Sequence, residues 1–126
     1  MTRTVFTTDR VIKLPAPLSN VVKAGNLLFV SGITPFDKQR KLVESDFAAQ
    51  MHQVMSNIKF ILEDAGSSLD RVVKVTAFLA RVNDFRTMFE IYRTYFVEPY
   101  PALTTIGARL VIPEFLLEME CIAETD

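Results

Sequence analysis

Val21-Val22-Lys23-Ala24-Gly25-Asn26-Leu27-Leu28-Phe29-Val30 carries an apolar run on each side of a Gly-Asn pair. Such a pair tolerates the backbone dihedrals of a tight turn, so the stretch reads as two antiparallel strands joined as a hairpin. From Ser45 the period changes: Phe47, Met51, Val54, Met55, Ile58, Ile61, Leu62 and Ala65 follow one another by 4, 3, 1, 3, 3, 1 and 3 residues. That is the stripe of a helix buried on one face. Ser45 is placed to cap it, Asp46 to sit at the positive end of its dipole, and Gly66 to close it in a left-handed conformation.

Val72 to Leu79 is β-branched and apolar, with Lys74 and Thr76 as its polar residues on one face, and reads as a central strand. Asn83 or Asp84 then caps a second helical stripe, Phe85, Met88, Phe89, Tyr92, Tyr95 and Phe96, expected to lie in the core and to end before Pro99 and Pro101. The last third offers two more strands, Ala102 to Leu110 and Leu116 to Ala123, read as a final pair with a turn around Pro113. In the second of them a period of two puts Leu117, Met119, Cys121 and Ala123 on one face, and Leu116, Glu118, Glu120 and Ile122 on the other. The resulting order, β-β-β-α-β-α-β-β, is an α+β arrangement: a six-stranded, mostly antiparallel sheet with two helices packed on one face. The other face then needs a cover, and self-association is the simplest one.

Composition narrows the function. Four glycines and six prolines in 126 residues leave no linker, so a single domain over 1–126 is expected. The mean hydropathy of +0.21 is high for a small chain, yet its apolar runs are far shorter than the roughly 20 residues of a membrane helix. The first residues have no apolar core of a secretory signal, which makes the cytoplasm the expected location and a membrane an unexpected partner. One cysteine, Cys121, and one histidine, His52, supply neither an internal disulfide nor a metal-ligand cluster, so no metal is expected. A net charge of −1 lacks the basic excess that holds phosphate backbones, which argues against nucleic acid as a specific partner.

The strand and helix order, with Ala24-Gly25-Asn26-Leu27-Leu28-Phe29-Val30-Ser31-Gly32, Asn83-Asp84-Phe85 with Tyr92, Pro101-Ala102, and Glu118-Met119-Glu120-Cys121-Ile122-Ala123, resembles the RidA/YjgF family of reactive intermediate (imine) deaminases. The resemblance spans nearly the whole chain. It implies a chorismate-mutase-like fold, a homotrimeric barrel with clefts between subunits, and hydrolysis of an imine or enamine to a carbonyl compound and ammonia without a cofactor. In such clefts an Arg grips the substrate carboxylate through its planar fork, and a Glu positions the attacking water. By this resemblance Glu118 is the catalytic residue and Ser31 lines the cleft. The Arg position, after Pro101-Ala102, is Leu103, and Leu cannot hold a carboxylate. Thr104 and Thr105 follow where Ser and Cys are common, Leu18 stands where a Tyr is often found, and Phe89 where an Asn is. The resemblance thus implies a divergent member, acting on something other than the usual 2-imino acids.

Each of these residues also has a plainer reading. Glu118 is a water-activating base, or a strand carboxylate that is solvated or ion-paired; Glu120 fits an interface ion pair better than catalysis. Ser31 meets a ligand or satisfies a strand end. Thr104 and Thr105 meet ligand oxygens, Thr105 being the better candidate, or serve β propensity. Arg109 either swings into the cleft as a substitute anchor or forms a surface or interface salt bridge. His52 lies off the helix stripe and is expected outside the site, Cys121 is expected as a buried inert thiol, and Lys38, Arg40 and Lys41 as solvated turn residues. The leading expectation is a small-molecule deaminase of this type; the alternative is a trimeric, non-catalytic module that binds a small ligand in apolar clefts.

Overall fold

The computed structural model describes residues 2–43 and 45–126. Its elements follow the expected order: β1 (Thr4–Phe6), β2 (Val21–Ala24), β3 (Leu27–Ile33), α1 (Phe47–Asp64), β4 (Val72–Leu79), α2 (Phe85–Tyr95), β5 (Ala102–Gly107) and β6 (Leu117–Glu124). Gly25, at φ +62°, opens the two-residue turn between β2 and β3, a left-handed conformation for which glycine pays no steric penalty.

The sheet runs β1-β2-β3-β6-β4-β5, and only β4 and β5 are parallel. This corrects the reading of the last two strands as a pair. β5 follows the β4-α2 unit as a parallel crossover and takes the sheet edge beside β4. β6 returns between β3 and β4, where both of its edges are hydrogen-bonded. Alternating apolar residues say which face a strand buries but not which strands flank it. β6 earns the central place because it holds the fully buried Leu117, Met119 and Ala123.

α1 begins one residue later than expected. Asp46, not Ser45, is the N-cap, and its carboxylate accepts from the Ala48 amide at 3.1 Å. The far end closes as foreseen: Gly66 is at φ +86°, Gly66 N donates to Glu63 O and Ser67 N to Leu62 O. α2 differs. Neither Asn83 nor Asp84 caps it with a side chain; the Asp84 carboxylate instead accepts from Arg81 Nε at 2.9 Å. The helix stops at Tyr95, and Phe96 turns extended while remaining buried.

Both helices pack on one face, where Met51, Val54, Met55, Ile58 and Leu62 of α1 and Met88 and Tyr92 of α2 meet Leu28, Val75, Ala77, Leu79 and the inward residues of β6. The aromatic stripe of α2 is not all core: Phe85 is exposed and Phe89 half-buried, because both border open hollows over the edge strand β5. Two buried amides tie loops to α1. Gln50 Oε1 accepts from Leu116 N at 2.7 Å while its Nε2 donates to Glu114 O at 3.0 Å, and Asn57 Nδ2 donates to Thr34 O and Phe36 O. This clasp draws Leu116 into the core ahead of β6, away from the open face on which alternation had placed it.

The opposite face carries Val5, Phe29 and Ile106, exposed by 47, 43 and 42%, together with Ile122, Glu118 and Glu120. Three large apolar side chains left in water on one sheet face mark it as a surface built to be covered. No helix among the described residues is long and apolar enough to cross a membrane.

Candidate functional site

Glu118 lies on β6 with its side chain on the open face, its Cα opposite that of Phe78 on β4. Its carboxylate rests directly over Gly32 of β3: a β-carbon at that glycine would overlap a carboxylate oxygen and lie 3.2 Å from the carboxyl carbon. Gly32 is therefore the seat of this side chain, a role the sequence did not reveal because the contact joins residues 86 positions apart. Burial, and then the neighbouring Glu120 charge, push the Glu118 carboxyl above the usual range. Among the described residues it has no hydrogen-bond or ion-pair partner. Glu120 points the same way two residues on, and is exposed.

Ser31 and Leu18 belong to the same end of the molecule. Ser31 Oγ donates to Ser19 O at 2.5 Å and Ser31 N to Asn20 O at 2.9 Å, so the hydroxyl proton is spent holding the 15–20 loop against β3. Leu18, half exposed in that loop, and Gly32 line a crevice of about 20 Å³ with Val11, Asn20, Ile33 and Asn57. That is room for a water molecule and no more.

The remaining candidates lie elsewhere. Leu103 of β5 and Phe89 of α2 line a hollow of about 200 Å³ with Tyr92, Arg93, Tyr100 and Pro101. Thr105 lines a second, of about 210 Å³, with Leu79, Val82, Phe85, Phe89 and Gly107, so that Phe89 is the wall between the two. Thr104 points to the opposite face, where its hydroxyl accepts from Lys74 Nζ at 2.6 Å. Arg109 is exposed in the segment after β5 and lines none of these three hollows. β4 separates β6 from β5. The candidates thus form two groups that one chain does not bring together: Leu18, Ser31, Gly32 and Glu118 at one place, Phe89, Leu103 and Thr105 at another.

Arg93, Tyr92 and Tyr100 were missed as cavity residues. Arg93 follows Phe89 by four positions, the spacing at which helix side chains share a face, and that was the available signal. Among the described residues the buried Tyr92 hydroxyl has no hydrogen-bond partner, and burial, then the nearby Cys121, pushes it up to about 12. Cys121 is buried under the helices, as its face of β6 foretold, and burial pushes its thiol up to about 12. His52 is exposed and meets Tyr95 Oη at 2.5 Å across the two helices, away from both groups. In the turn at 37–41, Asp37 accepts from the amides of Gln39 and Lys41, and Lys38, Arg40 and Lys41 face solvent. Among the described residues no three His, Cys, Asp or Glu side chains are grouped as metal ligands.

The sequence pattern of the endoribonuclease L-PSP family matches residues 8–125. A RutC family protein of Pyrococcus abyssi is 41% identical over 124 residues, covering 98% of each chain. Reactive Intermediate Deaminase A, chloroplastic, of Arabidopsis thaliana is 36% identical over 120 residues, which span 94% of this chain and 64% of that protein. Among solved structures, yeast Mmf1 superposes with a TM-score of 0.93 at 34% identity, over 99% of this chain and 100% of that one. A match over nearly the full length, in sequence and in fold, leaves one assignment: the chain belongs to the endoribonuclease L-PSP family, which includes the RutC and reactive intermediate deaminase (Rid) proteins.

Proposed function

We propose that the protein is a cofactor-independent deaminase of the Rid type, hydrolysing an imine or enamine in clefts between the subunits of a homotrimer. The observation that carries this reading is Glu118: a carboxyl raised above its usual range, half-buried, seated on a glycine and without a hydrogen-bond or ion-pair partner among the described residues. A general base works best when its pKa approaches the ambient pH, and burial moves Glu118 in that direction. In the reaction Glu118 takes a proton from water as the oxygen adds to the C=N carbon. It returns that proton to nitrogen to give a carbinolamine, then carries the remaining hydroxyl proton from oxygen to nitrogen as the C=O bond forms and the C–N bond breaks, leaving a carbonyl compound and ammonia.

Two observations support a cleft shared between chains. Glu118 stands on the open face of the sheet and Leu103 and Thr105 on the helix-covered face, so one subunit does not turn both groups toward one small molecule. The apolar open face offers the contact through which a neighbour's β5 edge would reach Glu118. Leu103 presents only methyl groups to the hollow it lines, so a carboxylate next to the reacting carbon has no anchor on β5, and the usual 2-imino acids are poor substrates. The endoribonuclease activity in the family's description would require a cationic surface for the phosphate backbone, and the net charge of −1 does not favour one.

The test gives the wild-type protein and Glu118→Gln two kinds of imine: 2-imino acids made by an amino-acid oxidase, and apolar or neutral imines without a carboxylate on the reacting carbon, made from primary amines by an amine oxidase. Ammonia release is expected to accelerate on apolar or neutral imines and to lose at least about a hundredfold in Glu118→Gln. No acceleration on any substrate would sink the deaminase reading and leave the non-catalytic ligand-binding module. A monomer by light scattering at micromolar concentration would sink both.

A further inference from the structure

Leu103 and Thr105 stand two residues apart on β5, so their side chains share the helix-covered face of the strand, about 7 Å apart along it. Each opens onto its own hollow. Leu103 borders the one of about 200 Å³ with Phe89, Tyr92, Tyr100 and Pro101, and Thr105 the one of about 210 Å³ with Leu79, Val82, Phe85 and Phe89. Phe89 of α2 belongs to both walls. Its ring meets that of Phe85, one helical turn earlier, edge to face with centroids 5.8 Å apart and planes at 79°, an orientation that aromatic pairs favour. At the far side Val82 packs so close to β5 that a β-carbon at Gly107 would lie 2.5 Å from Val82 Cγ2. The second hollow thus depends on the bare backbone of Gly107, and the partition between the two on a single side chain.

An engineered apolar cavity of about 150 Å³ takes up benzene, so a space of about 200 Å³ fits one six-membered ring with a small substituent. The Leu103 hollow, with three ring walls against two in the other, is the better match to a flat ring. Two fused rings need the room of both hollows at once, and the Phe89 side chain stands between them. Added apolar surface ordinarily tightens binding, so a weaker fit for a larger ring is the mark of a wall. We propose that Phe89 is a specificity-determining residue: it confines the apolar part of the substrate to one ring, or a chain of equal bulk, in the Leu103 hollow and turns away fused two-ring molecules. This deepens the deaminase reading and rests on it for the reaction. The substrate is then a neutral imine whose single ring lies against Phe89, Tyr92 and Tyr100 of one subunit while its C=N carbon meets Glu118 of a neighbour.

The test is methyl NMR of the full-length protein titrated with two neutral probes, benzyl alcohol and naphthalenemethanol. In the wild type benzyl alcohol is expected to shift the Leu103 methyls, to leave those of Val82 and Thr105 in place, and to bind at least about tenfold tighter than the two-ring probe. Phe89→Ala joins the hollows, so naphthalenemethanol should become the tighter ligand and shift the methyls of Leu103, Val82 and Thr105 together. Phe89→Leu keeps an apolar side chain in the helix and guards against a variant that fails to fold; it should reduce the preference to about threefold or less. Equal or tighter binding of the two-ring probe to the wild type, a preference unchanged in both variants, or no shift at Leu103 with either probe would overturn the inference. Its failure is separable from that of the deaminase reading. Glu118-dependent turnover that treats the imines of benzylamine and naphthylmethylamine alike sinks the size filter alone, and Phe89-dependent selection in binding without turnover on any imine sinks the deaminase alone.

Discussion

Replacing Gly32 with Ala tests the Glu118 seat without touching Glu118 itself. The new β-carbon would lie 3.2 Å from the Glu118 carboxyl carbon, closer still to one of its oxygens, whereas unstrained carbon contacts begin at about 3.5 to 4.0 Å. The carboxyl must therefore move by roughly half an ångström to one ångström. Gly32 has no left-handed backbone, so Ala is tolerated there, and what gives way is the end of a flexible side chain. Stability should change by less than about 1 kcal/mol, because alanine's advantage over glycine in a strand, about 0.5 to 1 kcal/mol, offsets part of the displacement. Chemistry is less forgiving, since a displacement of about 1 Å in a catalytic group can cost about a hundredfold in rate. The direct assay is a carbon-13 NMR titration of the glutamate carboxyls. In the wild type Glu118 titrates above the usual range of about 4.3, and in Gly32→Ala, pushed toward water, it returns toward that range. A Glu118 titration identical in the two proteins would refute the reasoning. The raised value also fixes a sign: the folded state holds this proton more tightly than the unfolded state, so the stability it confers is present at low pH and lost as pH rises through the raised pKa. Glu118→Gln should accordingly be more stable than the wild type at pH 8, with the advantage vanishing near pH 4.

The Gln50 clasp gives a second prediction. Gln50→Leu strands the Leu116 amide and the Glu114 carbonyl, at about 1 to 3 kcal/mol for a buried group left unpaired, so calorimetry should show a Tm lower by about 10 °C; a fall below about 3 °C would mean that the groups find other partners. Tyr92→Phe removes a buried hydroxyl with no partner, and urea unfolding should show it equal to or up to about 1 kcal/mol more stable than the wild type; a clear loss would reveal a bond to that hydroxyl. Tyr92 and Cys121 are both held to about 12, above their ordinary values of 10.0 and 9.0, so the folded state keeps protons that the unfolded state releases. Stability is then full below pH 9 and falls as pH rises toward 12, by about 1.4 kcal/mol per pH unit for each group; an aromatic thiol reagent at pH 8 should react with Cys121 only in denaturant.

Local sequence determined the elements, because period and termini are written in neighbouring residues. The stripe from Phe47 to Leu62, the run Val72–Leu79, the Gly25-Asn26 turn and the alternation Leu117, Met119, Cys121, Ala123 all reappear in the structure. Capping was less legible. Asp46 and Ser45 are both competent caps, and Asp84 lost its role to a nearby arginine, since a side chain's partner depends on what else is within reach. Strand order was decided only in three dimensions. The pattern of β6 is satisfied beside any strand with a buried face, and its place between β3 and β4 follows from packing both of its edges and its whole apolar row beneath the helices. The same holds for the site. Glu118 stood out as a carboxylate on one face of a strand, but the glycine beneath it, the engaged hydroxyl of Ser31 and the Phe89 wall between Leu103 and Thr105 join residues distant in the chain. Their relation exists only once the sheet has closed, for the physical reason that side-chain environments are set by contacts across the fold, whereas helices and strands are set by contacts along it.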